Sequence, residues 1–446
     1  MRFSDLLLFL ALATLSMRFC KGGEEADWRK PMLEEIEKLH TSEVEVRVFD
    51  AAGQPAPGVE IRYELLRHDL IFGTAVAADL ITGTGAEAKN YRRMVLKLFN
   101  TVVFENEHKW KYWEAADLRP VTDAAVSWVR ENHLRLRGHT MIWQTWKYGV
   151  PIPKDVELAV RSGDPERRGE VRDRTLSHIA AIGGHYRGIM EEWDVLNEQV
   201  EEHELTAFLN PRIPFTEAPA MAEWFQAARR AAPEARLFIN DFHILVGDFP
   251  QHKDDYEKTI RFLIDQGAPL GGIGFQGHFH SGKLTRTPLE MCEVLDRFGK
   301  FGLPMLVTEF DMYGEDWGTT PVEIDQNKAE FFEKFLLTAL SHPGIEGLMV
   351  WGFWDGRHWT GSSPFFRKDW SEKGALKIYR KYVLDAWRSR GTVTSGPDGL
   401  ARFRGFHGTY RLLLKQGKAA GETTFRLSRD ANSIAITLPA PKAEKP

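Results

Sequence analysis

Two stretches, Gly271-Gly-Ile-Gly-Phe-Gln-Gly-His-Phe279 and Pro304-Met-Leu-Val-Thr-Glu-Phe-Asp311, decide how this 446-residue chain folds. Each is a short apolar run that turns polar at its end, with Gln276 and His278 in the first and Glu309 and Asp311 in the second. Between them, Pro288 to Phe298 reads as a helix. A short run, a helix and another short run make a strand–helix–strand unit, which implies parallel pairing. Outward from this unit the alternation repeats: Ile71–Val76, Thr101–Asn106, Leu136–Trp143, Glu191–Glu198 and Arg236–Phe242 precede it, and Gly347–Asp355 follows. The stretch from Asp325 to His342 shows the helical period best, with Ala329, Phe332, Phe335, Leu336 and Ala339 on one stripe.

Eight strand–helix units over about 300 residues predict an α/β fold, a (β/α)8 TIM barrel spanning residues 71–388. The rival is an open doubly wound sheet, but no G-x-G-x-x-G or P-loop follows any of the runs. Outside the barrel the period changes to two. Val44, Val46 and Val48 alternate with polar neighbours, a turn at Gly53, Pro55, Pro57 and Gly58 follows, and Val59, Ile61 and Tyr63 alternate again. This predicts a β-hairpin over 43–70. Leu400–Phe406, Thr409–Lys415, Thr423–Leu427 and Ser433–Leu438 read as strands, with turns such as Pro397-Asp398-Gly399 between them. A lone hairpin is marginal in water, so the segments 43–70 and 389–446 are expected to join in a small appended β-module. Residues 21–42 are expected to hold a helix.

Residues 1–20 resemble an export signal, with Arg2 before an apolar run from Leu6 to Leu15 that is too short to span a bilayer. The expected location is secreted or periplasmic. Only Cys20 and Cys292 are present, so there is no disulfide framework and no cysteine zinc site. Cys292 reads as a packed small apolar residue. The hydrophobic fraction of 43%, charged fraction of 27% and net charge of −5 fit a globular chain. They exclude one built to coat nucleic acid or anionic lipid. Trp, at 14 residues, is high, and its flat apolar rings suit both sugar faces and cores.

In a barrel, the C-terminal strand ends build the active site. Those ends carry Glu105, Asn106 and Lys109; His139 and Trp143; Asn197 and Glu198; Asn240 and Asp241; Gln276 and His278; Glu309 and Asp311; and Trp351, Trp354 and Trp359. Polar groups there cannot face an apolar wall unpartnered. Glycoside cleavage needs this composition: one carboxyl held protonated to release the leaving oxygen, and a second to meet the cationic anomeric carbon. Glu198 and Glu309 are the candidates. Barrel geometry alone leaves their separation open, and with it the choice between retention and inversion. His278-Phe279-His280 also offers an H-x-H pattern, so a metal hydrolase is the alternative mechanism.

The segments FENEHKW (104–110), RGHTMIW (137–143), WDVLNE (193–198), FINDF (238–242), IGFQGHF (273–279), VTEFD (307–311) and VWGFWDGRHW (350–359) resemble those of family 10 glycoside hydrolases, mainly endo-1,4-β-xylanases. The resemblance runs from about Phe72 to Trp387. It implies a retaining double displacement on internal β-1,4 linkages of xylan, with Glu198 as acid/base and Glu309 as nucleophile. It also implies that Asn197 holds the sugar 2-hydroxyl, that His278 bonds the nucleophile, and that Gln276 lies near the acid/base. Glu105, Asn106 and Lys109 would bind the next sugar, His139 and Trp143 would line the cleavage subsite, and Trp351 and Trp359 would pack on sugars. No cofactor or metal is implied; the expected partner is xylan or its oligosaccharides, and the expected state a monomer. Gln144 stands where the family has His, which bears on substrate detail and pH optimum. The acidic stretch from Gln199 to Phe215 is expected on the leaving-group side of the cleft. Trp110, Trp113, Trp146 and Trp354 are open between core and cleft, and His280 reads as structural. The terminal β-segments are expected to cap the barrel, since no Trp follows Trp387. The other readings are a silent glycan-binding protein and a hydrolase of another β-1,4-glycan.

Overall fold

Each of the eight runs forms a strand, and the strands close on themselves. In the computed structural model, which describes residues 27–147 and 152–439, they are β3 (Ile71–Val76), β4 (Thr101–Phe104), β5 (Arg135–Trp143), β6 (Glu192–Asn197), β7 (Arg236–Asp241), β8 (Gly272–Ser281), β9 (Met305–Glu315) and β10 (Ile345–Val350). All pair in parallel in chain order, and β10 closes the barrel by pairing with β3, with Gly347 opposite Ile71. The strands read as near-continuous apolar runs because both faces are covered, by helices outside and by side chains within. Ile71, Val103, Phe238, Leu306 and Met349 fill the interior, with Trp351 above them. The close packing shows at Gly138, where a Cβ would come within 2.1 Å of the Trp193 ring. Helix starts are fixed by local chemistry: Thr287 with Glu290 and Thr320 with Glu323 form capping boxes ahead of Pro288 and Pro321. The second therefore starts the helix Pro321–Leu340 earlier than Asp325. Cys292 is buried in the helix Pro288–Gly299.

The terminal segments form β1 (Thr41–Phe49), β2 (Glu60–His68), β11 (Arg390–Thr394), β12 (Leu400–Phe406), β13 (Gly408–Gln416), β14 (Ala419–Leu427) and β15 (Ser433–Thr437). The hairpin expected over 43–70 does not form. β1 lies between β12 and β15 in a three-stranded sheet, whereas β2 lies between β11 and β13 in a four-stranded one. Alternation marks both segments as half-buried strands, but their best partners come from the other end of the chain: Thr41 faces Phe406 and Glu64 faces Arg411. At Pro397-Asp398-Gly399 the predicted turn forms, with Gly399 at φ +74° and its N–H donating to Gly396 O at 2.9 Å.

These sheets meet the barrel at its N-terminal end. His68 and Phe406 border the floor beside Ile71, Arg135, Glu192, Arg236 and Ile345, which begin barrel strands. The helix Arg29–His40 lies alongside Pro321–Leu340, tied by Arg29 to Glu333 at 2.8 Å and by His40 Nε2 to Leu340 O at 2.9 Å. The expected export signal lies outside the described residues, as does the start of the 21–42 segment. Among the described residues, no helix is long and apolar enough to cross a membrane.

Trp387 is the hinge pin between floor and sheets. Its buried ring stacks on Phe72 of β3, with centroids 6.1 Å apart, and meets Phe406 of β12 at 6.2 Å. Trp387→Ala should lower stability by about 3–5 kcal/mol. A denaturant midpoint indistinguishable from wild type would show that barrel and sheets are not packed through this ring.

Candidate active site

Position 198 is where β6 ends and the chain turns outward. Glu198 adopts φ +56°, which lifts its carboxyl over the barrel mouth. Its Oε2 accepts a hydrogen bond from Trp143 Nε1 at 2.9 Å, and its Oε1 accepts one from Gln276 Nε2 at 3.0 Å. Burial, with the nearby Glu309 and Asp241 carboxylates adding to it against the opposing Gln276 bond, pushes the Glu198 carboxyl up to about 7. That is the behaviour of a group that carries a proton near neutrality.

Glu309 sits on β9 and is only 3% exposed. The β8–β9 register puts it opposite Gln276, so one glutamine neighbours both acids. Asn240 Nδ2 donates to Glu309 Oε1 at 2.8 Å, and His278 Nε2 lies 3.1 Å from Oε2. Both partners suit an acceptor-only carboxylate. The other nitrogen of His278 faces Asp311 Oδ1 at 3.0 Å. Burial alone would discharge this imidazole, but Asp311 and Glu309 outweigh it and hold His278 up at about 10, doubly protonated. Asp311 in turn accepts from Trp359 Nε1 at 2.7 Å.

Around this pair the other sequence-predicted residues gather. Asn106 Oδ1 accepts from Lys109 Nζ at 2.9 Å, and Lys109 lies over the Trp143 ring at 5.0 Å. Burial lowers the Lys109 ammonium, while Glu105, Glu309 and Glu198 all pull the other way. His139 is buried, its Nδ1 3.0 Å from Asp194 Oδ2 and 3.9 Å from Glu309 Oε1, with Trp351 edge-on above it at 5.0 Å. Asn197 Oδ1 receives Asn240 Nδ2 at 2.9 Å and Gln276 Nε2 at 3.3 Å, while its own Nδ2 is buried without a protein partner. Trp351 is buried, whereas Trp359 is 51% exposed at the rim. Trp110, Trp113 and Trp354 are core: Trp110 stacks on His178 at 4.4 Å and Trp354 on Trp370 at 4.4 Å.

Gln144, next to Trp143 in sequence, faces away from the mouth. It is fully buried, its amide nitrogen bonded to Gln199 and its Oε1 accepting from Thr206 N at 2.7 Å. It therefore ties β5 to the loop after β6 and presents no group to the mouth. Asn240 is the residue that sequence reading left without a role. Its position at a strand end was the signal.

Residues 63–382 match the family model for glycosyl hydrolase family 10. The chain belongs to this family. Among curated proteins, it is 29% identical over 420 residues to the anti-sigma-I factor RsgI6 of Acetivibrio thermocellus, covering 93% of this chain and 50% of that protein. It is 25% identical over 415 residues to endo-1,4-beta-xylanase 1 of Arabidopsis thaliana, covering 92% and 40%. It is 26% identical over 373 residues to a beta-1,4-xylanase of Dictyoglomus thermophilum, covering 80% and 90%. The chain thus spans about half the length, or less, of the first two relatives. Xylanase 10B of Thermotoga petrophila shares the fold, with a TM-score of 0.58, 21% identity, and coverage of 71% of this chain and 95% of that one.

The raised Glu198 carboxyl makes stability depend on pH with a definite sign. The folded state holds this proton up to about 7, whereas the ordinary value is 4.5, so ionisation costs folding free energy as pH rises between the two. Glu198→Gln cannot ionise. Whatever its constant offset, its thermal midpoint should rise relative to wild type between about pH 4 and pH 8. Parallel melting curves across that range would contradict the assignment.

Proposed function

We propose that this chain is a retaining endo-1,4-β-xylanase whose catalytic unit spans residues 71–388. The observation that carries the reading is the unlike pair at one mouth: Glu198, protonated near neutral pH, and Glu309, ringed by the donors Asn240 and His278. The names of the plant and Dictyoglomus relatives supply the substrate class. The two carboxyls divide an acetal cleavage between them. Glu198 gives its proton to the glycosidic oxygen, which leaves with the bonding electron pair. A Glu309 oxygen forms an ester to the anomeric carbon. Glu198, now a carboxylate, takes a proton from water as that water displaces Glu309, restoring both groups.

Loss of charge from Glu309 in the ester removes one repulsion on Glu198, so Glu198 stays ionised more easily in the intermediate, where it must act as base. Asn197 Nδ2 is the donor free to meet the sugar 2-hydroxyl. Glu105, Asn106 and Lys109 at the end of β4 would hold the next sugar, with Trp351 and Trp359 against the ring undergoing cleavage. A monomer acting outside the cell on a polysaccharide fits this reading.

Two variants separate the roles. Glu309→Gln should abolish turnover while xylo-oligosaccharide binding persists; residual turnover comparable to wild type removes it as nucleophile. Glu198→Ala should lose about 10²–10⁴-fold on xylan but far less on aryl glycosides with good leaving groups, which need no protonation. Equal loss on both counts against the acid role. Wild type incubated with xylan and cellulose should release internal fragments from xylan. No reducing ends from either polymer would leave a silent glycan-binding protein, and preferential release from cellulose would reassign the substrate.

A further inference from the structure

Beside the carboxylate pair, on the turns after β6 and β7 and the start of the helix Pro250–Asp265, a second cluster has no part in the chemistry above. Glu201 Oε1 lies 3.8 Å from His243 Nδ1 and 3.9 Å from His252 Nδ1. One ligand atom from each of the three residues falls within 4.8 Å of the others. These separations are too long for hydrogen bonds, so the carboxylate and the two ring nitrogens face one another without satisfying one another. We propose that Glu201, His243 and His252 bind a divalent transition-metal ion of the zinc class.

The donor chemistry fits. Two imidazoles and one carboxylate are a set zinc accepts with its fourth place open to water. At zinc–ligand distances of ~2.0–2.2 Å, tetrahedral donors stand ~3.3–3.6 Å apart, so the carboxylate needs to approach each imidazole by about half an ångström and the two imidazoles, within 4.8 Å of each other, need to close by up to about 1.5 Å. Stronger support lies one layer out. His252 Nε2 is 3.0 Å from Asp241 Oδ1, and Asp241 is fully buried. That contact places the His252 proton on Nε2 and turns the Nδ1 lone pair toward Glu201. A carboxylate behind a histidine is how ligating imidazoles are oriented. Asp241 is itself fixed, accepting from Val200 N at 3.1 Å and Phe242 N at 3.0 Å. The rings are held too, His243 stacked on Phe249 at 3.9 Å and His252 against Phe242 at 5.0 Å.

An ion here would fasten the loop that follows Glu198 to the turn after β7 and to the first turn of the helix Pro250–Asp265. It would act on the shape of the leaving-group side of the cleft and enter no bond-making step. Position and donor set do not depend on the reading of the carboxylate pair, so the two proposals can fail separately.

The test uses the full chain, untagged and stripped with chelator. Titration calorimetry with zinc should show one ion per chain, and zinc should raise the thermal midpoint where magnesium does not. Glu201 is half exposed, so Glu201→Gln should fold as wild type and lose at least about tenfold in zinc affinity, together with the thermal shift. His252→Ala should lose the stoichiometric site. Cobalt should give intense visible bands in wild type and not in Glu201→Gln. Absence of a stoichiometric site in wild type, or zinc affinity unchanged in both variants, overturns the proposal.

Discussion

One residue, Asn240, touches both members of the carboxylate pair, Glu309 through its side chain and Glu198 through its backbone carbonyl. Asn240 Nδ2 donates to Glu309 Oε1 at 2.8 Å and to Asn197 Oδ1 at 2.9 Å, while its Oδ1 accepts from Thr308 Oγ1 at 2.7 Å. β6, β7 and β9 are thereby fixed to one another at the mouth. The side chain fits only because β8 yields space: a Cβ at Gly274 would stand 2.4 Å from Asn240 Oδ1. Such a network is worth its desolvation only when each member is satisfied. Asn197 Nδ2 is the donor of this network left without a protein partner.

Below the mouth, the barrel buries full charges. Arg137 is 1% exposed and lies between Asp194 and Glu192, the latter at 2.5 Å. Asp194 also meets His139 Nδ1, and Glu192 pairs with Arg236, which continues to Glu346 at the floor. Burial works against the Arg137 charge, but the two acids outweigh it and hold it charged. Removing Arg137 would leave the Asp194 carboxylate without its cationic partner in a dry interior, which is where such changes cost most. The line of charges therefore fixes His139 beneath Trp351, and gives the floor of the site a rigid base.

The barrel was legible because each strand is buried on both faces and reads as an unbroken apolar run, bounded by helices with capping signals at Thr287 and Thr320. The polar residues at the strand ends were legible for the converse reason: Glu105, Glu198, Gln276 and Glu309 have no place in an apolar wall. Partner choice was not legible. Val44, Val46 and Val48 announce a strand but not that it pairs with β12 and β15 rather than β2, because alternation fixes a face and not a neighbour. The role of Gln144 was not legible for a related reason. Sequence shows an amide beside Trp143, and only the segment carrying Gln199 and Thr206 shows which groups it bonds. His243 lies in the turn after β7 and His252 in the first turn of the helix Pro250–Asp265, and no periodicity reveals that the two meet.

The two ends of the barrel answer to opposite demands. At the floor, the appended sheets, Phe72, Trp387 and Phe406 bury apolar surface and favour rigidity. At the mouth, Glu198 accepts a left-handed backbone that costs a non-glycine residue of order 1 kcal/mol or more. That conformation is sustained locally, by its N–H donating to Asn240 O at 2.9 Å and its carbonyl accepting from Glu202 N at 2.9 Å. An extended residue there would continue β6 and send the next side chains along the barrel wall. The turn instead brings the carboxyl back across the mouth to Gln276 and Trp143, and sends the chain toward Glu201. Asn240 thus fixes Glu198 through its backbone and Glu309 through its side chain, so the alignment of the two carboxyls rests on the placement of one residue of β7.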